Sequence, residues 1–512
     1  MEKHIDLGKL SVAGVFITLG IIFGDIGTSP LYVMKAVVGS RIISEGLILG
    51  GISCVFWTLL LITTFKYVIL ALRADNHGEG GIFALFGLVS EHKLKWPMIA
   101  AFLGSAALMA DGFITPPISI LSAVEGLNVL YPQLPVLPIG ITILVLLFSF
   151  QRFGTDVVGK TFGPVMFIWF STMAIFGVLQ MVKHPEILKA LNPYYAIHLL
   201  VRYPGGFWLL GAVFLCTTGA ESMYADLGHC GKLNIRFSWT FVWVCLLLNY
   251  FGQGAWLLGK TGTALEDVSI FYAIVPTAVL PFVIALATLA TVIASQALIS
   301  GCFTLVNEAM KLRLWINHKI SFPSSHKGQV YISSINWFLF TGCMLVVIAF
   351  QKSSNMEAAY GLTITLDMLM TSALLLLYFK SKGIPKVLVV LLGVLFFSTE
   401  LAFFVSNLKK FFYGGWFTLL VCICIFLLLY FLHRARKLRS VKYRLVNLED
   451  YVEMFNDLID DETVPKAATN LVFMTKKAQS ETLVDSNIIY SLFQQNPKRA
   501  DVYWIIHVEI LD

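Results

Sequence analysis

Asp25, Asp111, Glu221, Asp367 and Glu400 fall deep inside apolar stretches of this chain. A charged side chain at such a depth costs roughly 2.5–3.5 kcal/mol on insertion scales, so each acid needs a partner or a purpose. Lys35 and Lys66 fall toward the ends of their stretches, where a long side chain reaches the interface with its apolar stem still buried. The acids are therefore expected to lack basic partners. Unmatched negative charge in an apolar medium calls for a cation, a proton, or both.

The neighbours of these acids narrow the chemistry. Asp111, Thr115 and Ser119 recur every four residues, which places their oxygens on one helix face. Thr115-Pro116-Pro117 is expected to bend that helix and free carbonyl oxygens. Asp25, Ser29 and Tyr32 share a face if the break over Gly27–Pro30 is mild. Thr217 and Thr218 precede Glu221, and Tyr360 stands beside Gly361 and Thr363. Carboxylate, hydroxyl and carbonyl oxygens together suit a hard monovalent cation. Blander readings stand beside this one. Gly20-x-x-x-Gly24 is a common helix-packing pattern, and a lone Ser or Thr in a span usually bonds the preceding turn. Asp367 and Glu400 can equally be neutral acids packed on polar neighbours. Asp75-Asn76-His77-Gly78-Glu79-Gly80-Gly81 lacks the lysine–hydroxyl pair of a phosphate loop and reads as a structured loop.

The elements that must carry these residues are membrane spans. Of 512 residues, 57% are hydrophobic and only 13% charged, with a net charge of +6; this is an all-α polytopic membrane protein rather than a nucleic-acid binder. Apolar runs predict twelve spans, at about 10–38, 46–72, 97–125, 135–151, 162–182, 207–229, 237–259, 273–307, 331–351, 356–379, 384–406 and 412–433. The first and sixth each combine a mid-span acid with glycines and hydroxyls. They lie five spans apart, and an odd offset inverts the second unit relative to the first, as in transporters with 5+5 inverted repeats. Segment 183–206 reads as an external interfacial helix. The N-terminus lacks the layout of a cleaved signal peptide. The eight cysteines, Cys54, Cys216, Cys230, Cys245, Cys302, Cys343, Cys422 and Cys424, show neither disulfide nor metal spacing.

Lys and Arg concentrate in alternate loops, at Lys3, Lys93, Lys95, Arg313, Lys319 and Lys327 among others, and in the run His433–Arg439, Lys442 and Arg444. That asymmetry places both termini in the cytoplasm. The transport domain is assigned to 1–440. The remainder, 441–512, reads as a small cytoplasmic α/β domain, with strands at Asn470–Met474 and Val502–Ile510 and a short helix over Asp485–Gln494. A sheet so thinly covered reads as a truncated or partial domain that pairs with another copy.

Gly24-Asp25-Ile26-Gly27-Thr28-Ser29-Pro30-Leu31-Tyr32 resembles the signature of the KUP/HAK/KT potassium uptake transporters. So do Asp75–Gly81, Asp111-Gly112-Phe113-Ile114-Thr115-Pro116 and Thr218-Gly219-Ala220-Glu221-Ser222-Met223-Tyr224. The resemblance covers the whole membrane part. It implies an APC-superfamily fold of LeuT type, ten core helices in two inverted repeats plus two more, in the inner (plasma) membrane. It also implies K⁺ uptake by proton symport, and a homodimer held by the cytoplasmic domain. Family K⁺-binding positions carry over to Asp25 and Tyr32, then Asp111, Thr115 and Ser119, with Thr218 on the sixth span and Tyr360 on the tenth. A nucleotide such as cyclic di-AMP regulates the tail in the family; the tail here is shorter than in many members.

The expected mechanism is alternating access. Asp25 and Asp111 stay ionised and, with Thr115, Ser119, Tyr32 and backbone carbonyls of the broken first helix, replace the water of K⁺. Glu221 is expected to carry the coupled proton, because a carboxyl in a poorly hydrated helix break is costly to hold charged. K⁺ and H⁺ are cargo, and no cofactor is implied. An amino-acid substrate fits poorly, since its carboxylate would meet acids without a basic partner. A K⁺ channel would need a Thr-Val-Gly-Tyr-Gly filter, which the sequence lacks. An intramembrane aspartyl protease would need glycine where Ile22 stands; the chain is not read as an enzyme.

Overall fold

The computed structural model describes residues 9–90, 95–153, 156–265, 268–312, 314–322, 330–441, 445–475, 482–495 and 497–507. Lys3, Lys93, Arg313, Lys327, Lys442 and Arg444, and the end of the strand expected through Ile510, lie outside these. The chain divides into two compact units, Met1–Leu429 and Tyr430–Asp512.

The first unit is helical. Among the described residues, nine helices are long and apolar enough to cross a membrane, or ten if the bent pair Val12–Ile21 and Gly24–Leu31 is one span. The expected count of twelve includes two stretches that fall short of that length. Val136–Phe150 has only 15 residues. The sixth stretch is interrupted, running Gly206–Val213, Phe214–Thr217, Ala220–Ala225 and Leu227–Cys230.

Local chemistry sets where helices begin and break. Ser11 caps the first helix, its Oγ accepting from Gly14 N, and Ser44 does the same for Leu47 N on the second. The first span then turns by 65° between Ile21 and Gly24. Both flanking glycines are packing contacts: a Cβ on Gly20 would stand 2.6 Å from Phe162 Cβ, and one on Gly24 2.6 Å from Ala294 Cα. The helix Leu280–Lys311 can therefore press directly on the bend. In the third span, helix Trp96–Asp111 ends in a turn and Thr115–Val124 starts anew, with Pro116 and Pro117 in its first turn. The interruption lies before the prolines, which take the first turn of the new helix, where a proline gives up no helical hydrogen bond.

The helix Pro193–Arg202 lies in the segment read as interfacial and leaves Tyr194, Ile197 and Val201 exposed. In the second unit, strands Lys466–Thr475 and Arg499–His507 pair in parallel, and Leu445–Asn447 pairs antiparallel with Leu483–Asp485. The short helix over 485–494 appears as Ser486–Tyr490 continued by Ser491–Gln495. A helix not anticipated from the sequence, Val452–Asp460, precedes the long strand.

Candidate functional site

Breaks in the first and sixth spans meet at Asp25. The residue opens the second half of the first span, buried, and neither of its carboxylate oxygens has a hydrogen-bond partner. Its backbone carbonyl is occupied, accepting from Thr28 Oγ1 at 3.0 Å and Ser29 Oγ at 3.3 Å. Other carbonyls freed by the irregular backbone are met from outside. Trp169 Nε1 donates to Gly27 O and Gln253 Nε2 to Pro30 O, each at 2.9 Å. Three carbonyls of the break, which the sequence offered as ion ligands, are thus occupied, whereas the Asp25 carboxylate is left without a donor.

From the sixth span comes Gly219, with φ +84°. A Cβ there would lie 2.9 Å from Ile26 N and 3.1 Å from Asp25 Oδ2. Only glycine accepts both the left-handed backbone and that approach. The preceding Thr218 Oγ1 lies 2.6 Å from Ser29 Oγ, linking the two breaks, and Tyr32 Oη reaches the same Ser29 at 3.4 Å.

The third and tenth spans close the other side. Thr115 Oγ1 donates to Asp111 Oδ1 at 2.7 Å and lies 2.9 Å from Tyr360 Oη. A threonine has one hydroxyl proton; with that proton on Asp111, Tyr360 is the donor of the second contact. One turn further, Ser119 Oγ is buried without a partner. Asp111 lies within electrostatic reach of Asp25, and Tyr360 of both acids and of Tyr32. Asp25, Tyr32, Asp111, Thr115, Thr218 and Tyr360 thus converge from four spans. Their oxygens are buried and include two carboxylates, a donor set whose chemistry suits a hard cation.

Glu221 belongs to a different group. It accepts hydrogen bonds from Tyr67 Oη and Thr371 Oγ1, one on each carboxylate oxygen. Tyr67 in turn accepts from Lys66 Nζ at 3.0 Å. Lys66 does not snorkel to an interface; it is fully buried, 2.6 Å from Glu400 Oε1, and also donates to Met368 O at 3.0 Å. The stretch Leu59–Leu70 is wound as a π-helix, which turns Lys66 and Tyr67 into the bundle. Glu400 accordingly has a basic partner, and Ser372 Oγ donates to it as well. Of the five acids the sequence singles out, Asp25, Asp111, Glu221 and Asp367 are the ones without a described ion pair. Tyr67 and Thr371 are not among the residues that the sequence points to. A hydroxyl in a span is too common to stand out, and Glu221 is 154 residues from Tyr67 and 150 from Thr371.

A cavity of about 240 Å³ lined by Trp57, Leu61, Ala196, Leu210 and Phe403 among others contains no acid and is separate from both groups.

Residues 12–437 match the sequence model of the K⁺ potassium transporter integral membrane domain. A probable potassium transport system protein Kup from Flavobacterium johnsoniae is 51% identical over 511 residues, covering 98% of this chain and 78% of that protein. Its namesake in Enterococcus faecalis is 45% identical over 528 residues, covering 100% and 79%. Among solved structures, a manganese transporter mutant from Eremococcus coleocola aligns over 84% of this chain and 95% of its own, at 12% identity and a TM-score of 0.41. A likeness of that size does not establish a shared fold.

Proposed function

The chain belongs to the potassium transporter family of KUP/HAK/KT type, and on that premise we propose that it takes up K⁺ by proton symport through alternating access. The observation that carries the reading is Asp25: a buried carboxylate with both oxygens unpartnered, where two helix breaks meet beside Asp111. Two buried acids within electrostatic reach and without a basic partner repel each other unless a cation or a proton offsets one charge. K⁺ supplies that charge, and Tyr32, Thr115, Ser119, Thr218 and Tyr360 replace its water with neutral oxygens. Choosing K⁺ over other monovalent cations leans on the family.

A LeuT-type arrangement of 5+5 inverted repeats with two further helices is part of the proposal. The meeting of the broken first and sixth spans supports it. Glu221 is proposed to exchange the coupled proton, so that one K⁺-loaded and one proton-linked acid group switch access together. The tail, 441–512, is proposed to be a cytoplasmic domain through which two copies pair, and 1–440 the transport domain.

The test is growth of a K⁺-uptake-deficient bacterium at low external K⁺. The wild-type chain is expected to restore growth, and Asp25→Asn to restore none while still reaching the membrane. Equal rescue by both would remove Asp25 from the site and the proposal with it.

A further inference from the structure

The helix Ser353–Ser381 carries a polar stripe on one buried face: Tyr360, Thr363, Asp367 and Thr371, at steps of three and four residues. One end of the stripe is the cation site, where Tyr360 meets Thr115. The other end is Glu221, held by Thr371. Between them lie two buried oxygens with no hydrogen-bond partner, Thr363 Oγ1 and Asp367 Oδ1. Asp367 is 1% exposed and pressed against the third span, where a Cβ on Gly104 would stand 2.7 Å from its Oδ1.

The titratable groups within electrostatic reach of Asp367 are Glu221 on the sixth stretch, Lys66 and Tyr67 on the second, Asp111 on the third, Glu400 on the eleventh and the Cys422 thiol on the twelfth. The neighbouring helix Gly81–Val89 contributes none. The only cation in this set is Lys66, and Glu400 already matches it. Each oxygen of Glu221 accepts a hydroxyl hydrogen bond, the arrangement of a charged carboxylate. A second ionised carboxylate beside it would be buried, uncompensated and repelled by the first.

We propose that Asp367 holds the coupled proton in this conformation and passes it to Glu221, so that the pair, and not Glu221 alone, forms the proton station of the transporter. In the transfer the O–H bond on Asp367 breaks and one forms on a Glu221 oxygen. The pair keeps one proton and one negative charge throughout, and no other species is consumed. The stripe then gives the proton a course alongside the cation site, from the Tyr360 end to the Glu221 end of one helix. The inference rests on the proton-symport reading above.

The test uses the full chain in liposomes, with a pH-sensitive dye inside and K⁺ added outside, alongside calorimetric titration of the detergent-solubilised protein with K⁺. Asp367→Asn is expected to bind K⁺ within about 3-fold of wild type while K⁺-triggered proton influx falls by roughly 10-fold or more. Asp367→Glu is expected to keep proton influx with a displaced pH profile. Proton influx and pH profile unchanged in Asp367→Asn would overturn the inference. Should that variant fail to fold, an unchanged pH profile in Asp367→Glu would overturn it instead, and a displaced one would support it. Wild-type uptake of K⁺ with no proton influx would sink the symport reading itself, a result separate from either variant.

Discussion

A lysine with no exposed surface is tolerated inside an apolar bundle only if its charge is matched and its three donors are used. Lys66 meets both conditions, through Glu400, Tyr67 Oη and Met368 O. Removing one partner of such a pair strands the other, at about 3–5 kcal/mol, whereas replacing both can be neutral. Lys66→Met is therefore expected to lower the thermal unfolding temperature sharply, and Lys66→Met with Glu400→Gln to recover most of the loss. If the double variant unfolds as early as the single one, the pair is not what holds this part of the bundle. At this scale the sequence is legible where charge is conspicuous. Asp25, Asp111 and Glu221 stand out because nothing nearby in the chain explains them. Lys66 is not legible in this way, because position within an apolar run says nothing of helical winding and its partner Glu400 lies 334 residues away.

Helix breaks are the working elements, and glycine at 219 shows how tightly they are fitted. Two glycines with positive φ separate two effects. Gly205, at φ +71°, faces open space, so Gly205→Ala carries only backbone strain, about 1–2 kcal/mol. Gly219 carries the same strain and also abuts Ile26 N and Asp25. Gly219→Ala is expected to weaken K⁺ binding at least about 10-fold, because the first-span break must move away and take Asp25 with it. Gly205→Ala should leave K⁺ titration unchanged while lowering thermal stability. Equal K⁺ affinity in both variants would mean that the contact between the breaks does not shape the site. The breaks themselves were visible in Gly24–Tyr32 and Thr217–Glu221, since glycine, proline and hydroxyls interrupt a span in a recognisable way. That the two breaks touch was not visible, because sequence offset alone does not give contact. The stretches 135–151 and 207–229 read as full spans, but a short helix and an interrupted one do not differ from a continuous span in hydrophobicity alone.

For the whole molecule, function depends on which way the bundle faces. The membrane potential draws cations inward, so an acid-lined site open to the outside is loaded in the direction of the field. Charge in the loops argues for cytoplasmic termini, and two exposed positions can decide the point. Lys183 follows the helix that ends at Met181, and Ser381 closes the helix Ser353–Ser381; both are exposed. By the loop charges they lie on opposite sides. Lys183→Cys is expected to react with a membrane-impermeant maleimide in intact cells, and Ser381→Cys only after the membrane is opened. The native cysteines leave this readable, since all but Cys424 are buried, and the unmodified chain sets its contribution. Labelling of Ser381→Cys in intact cells, with Lys183→Cys protected, would reverse the orientation.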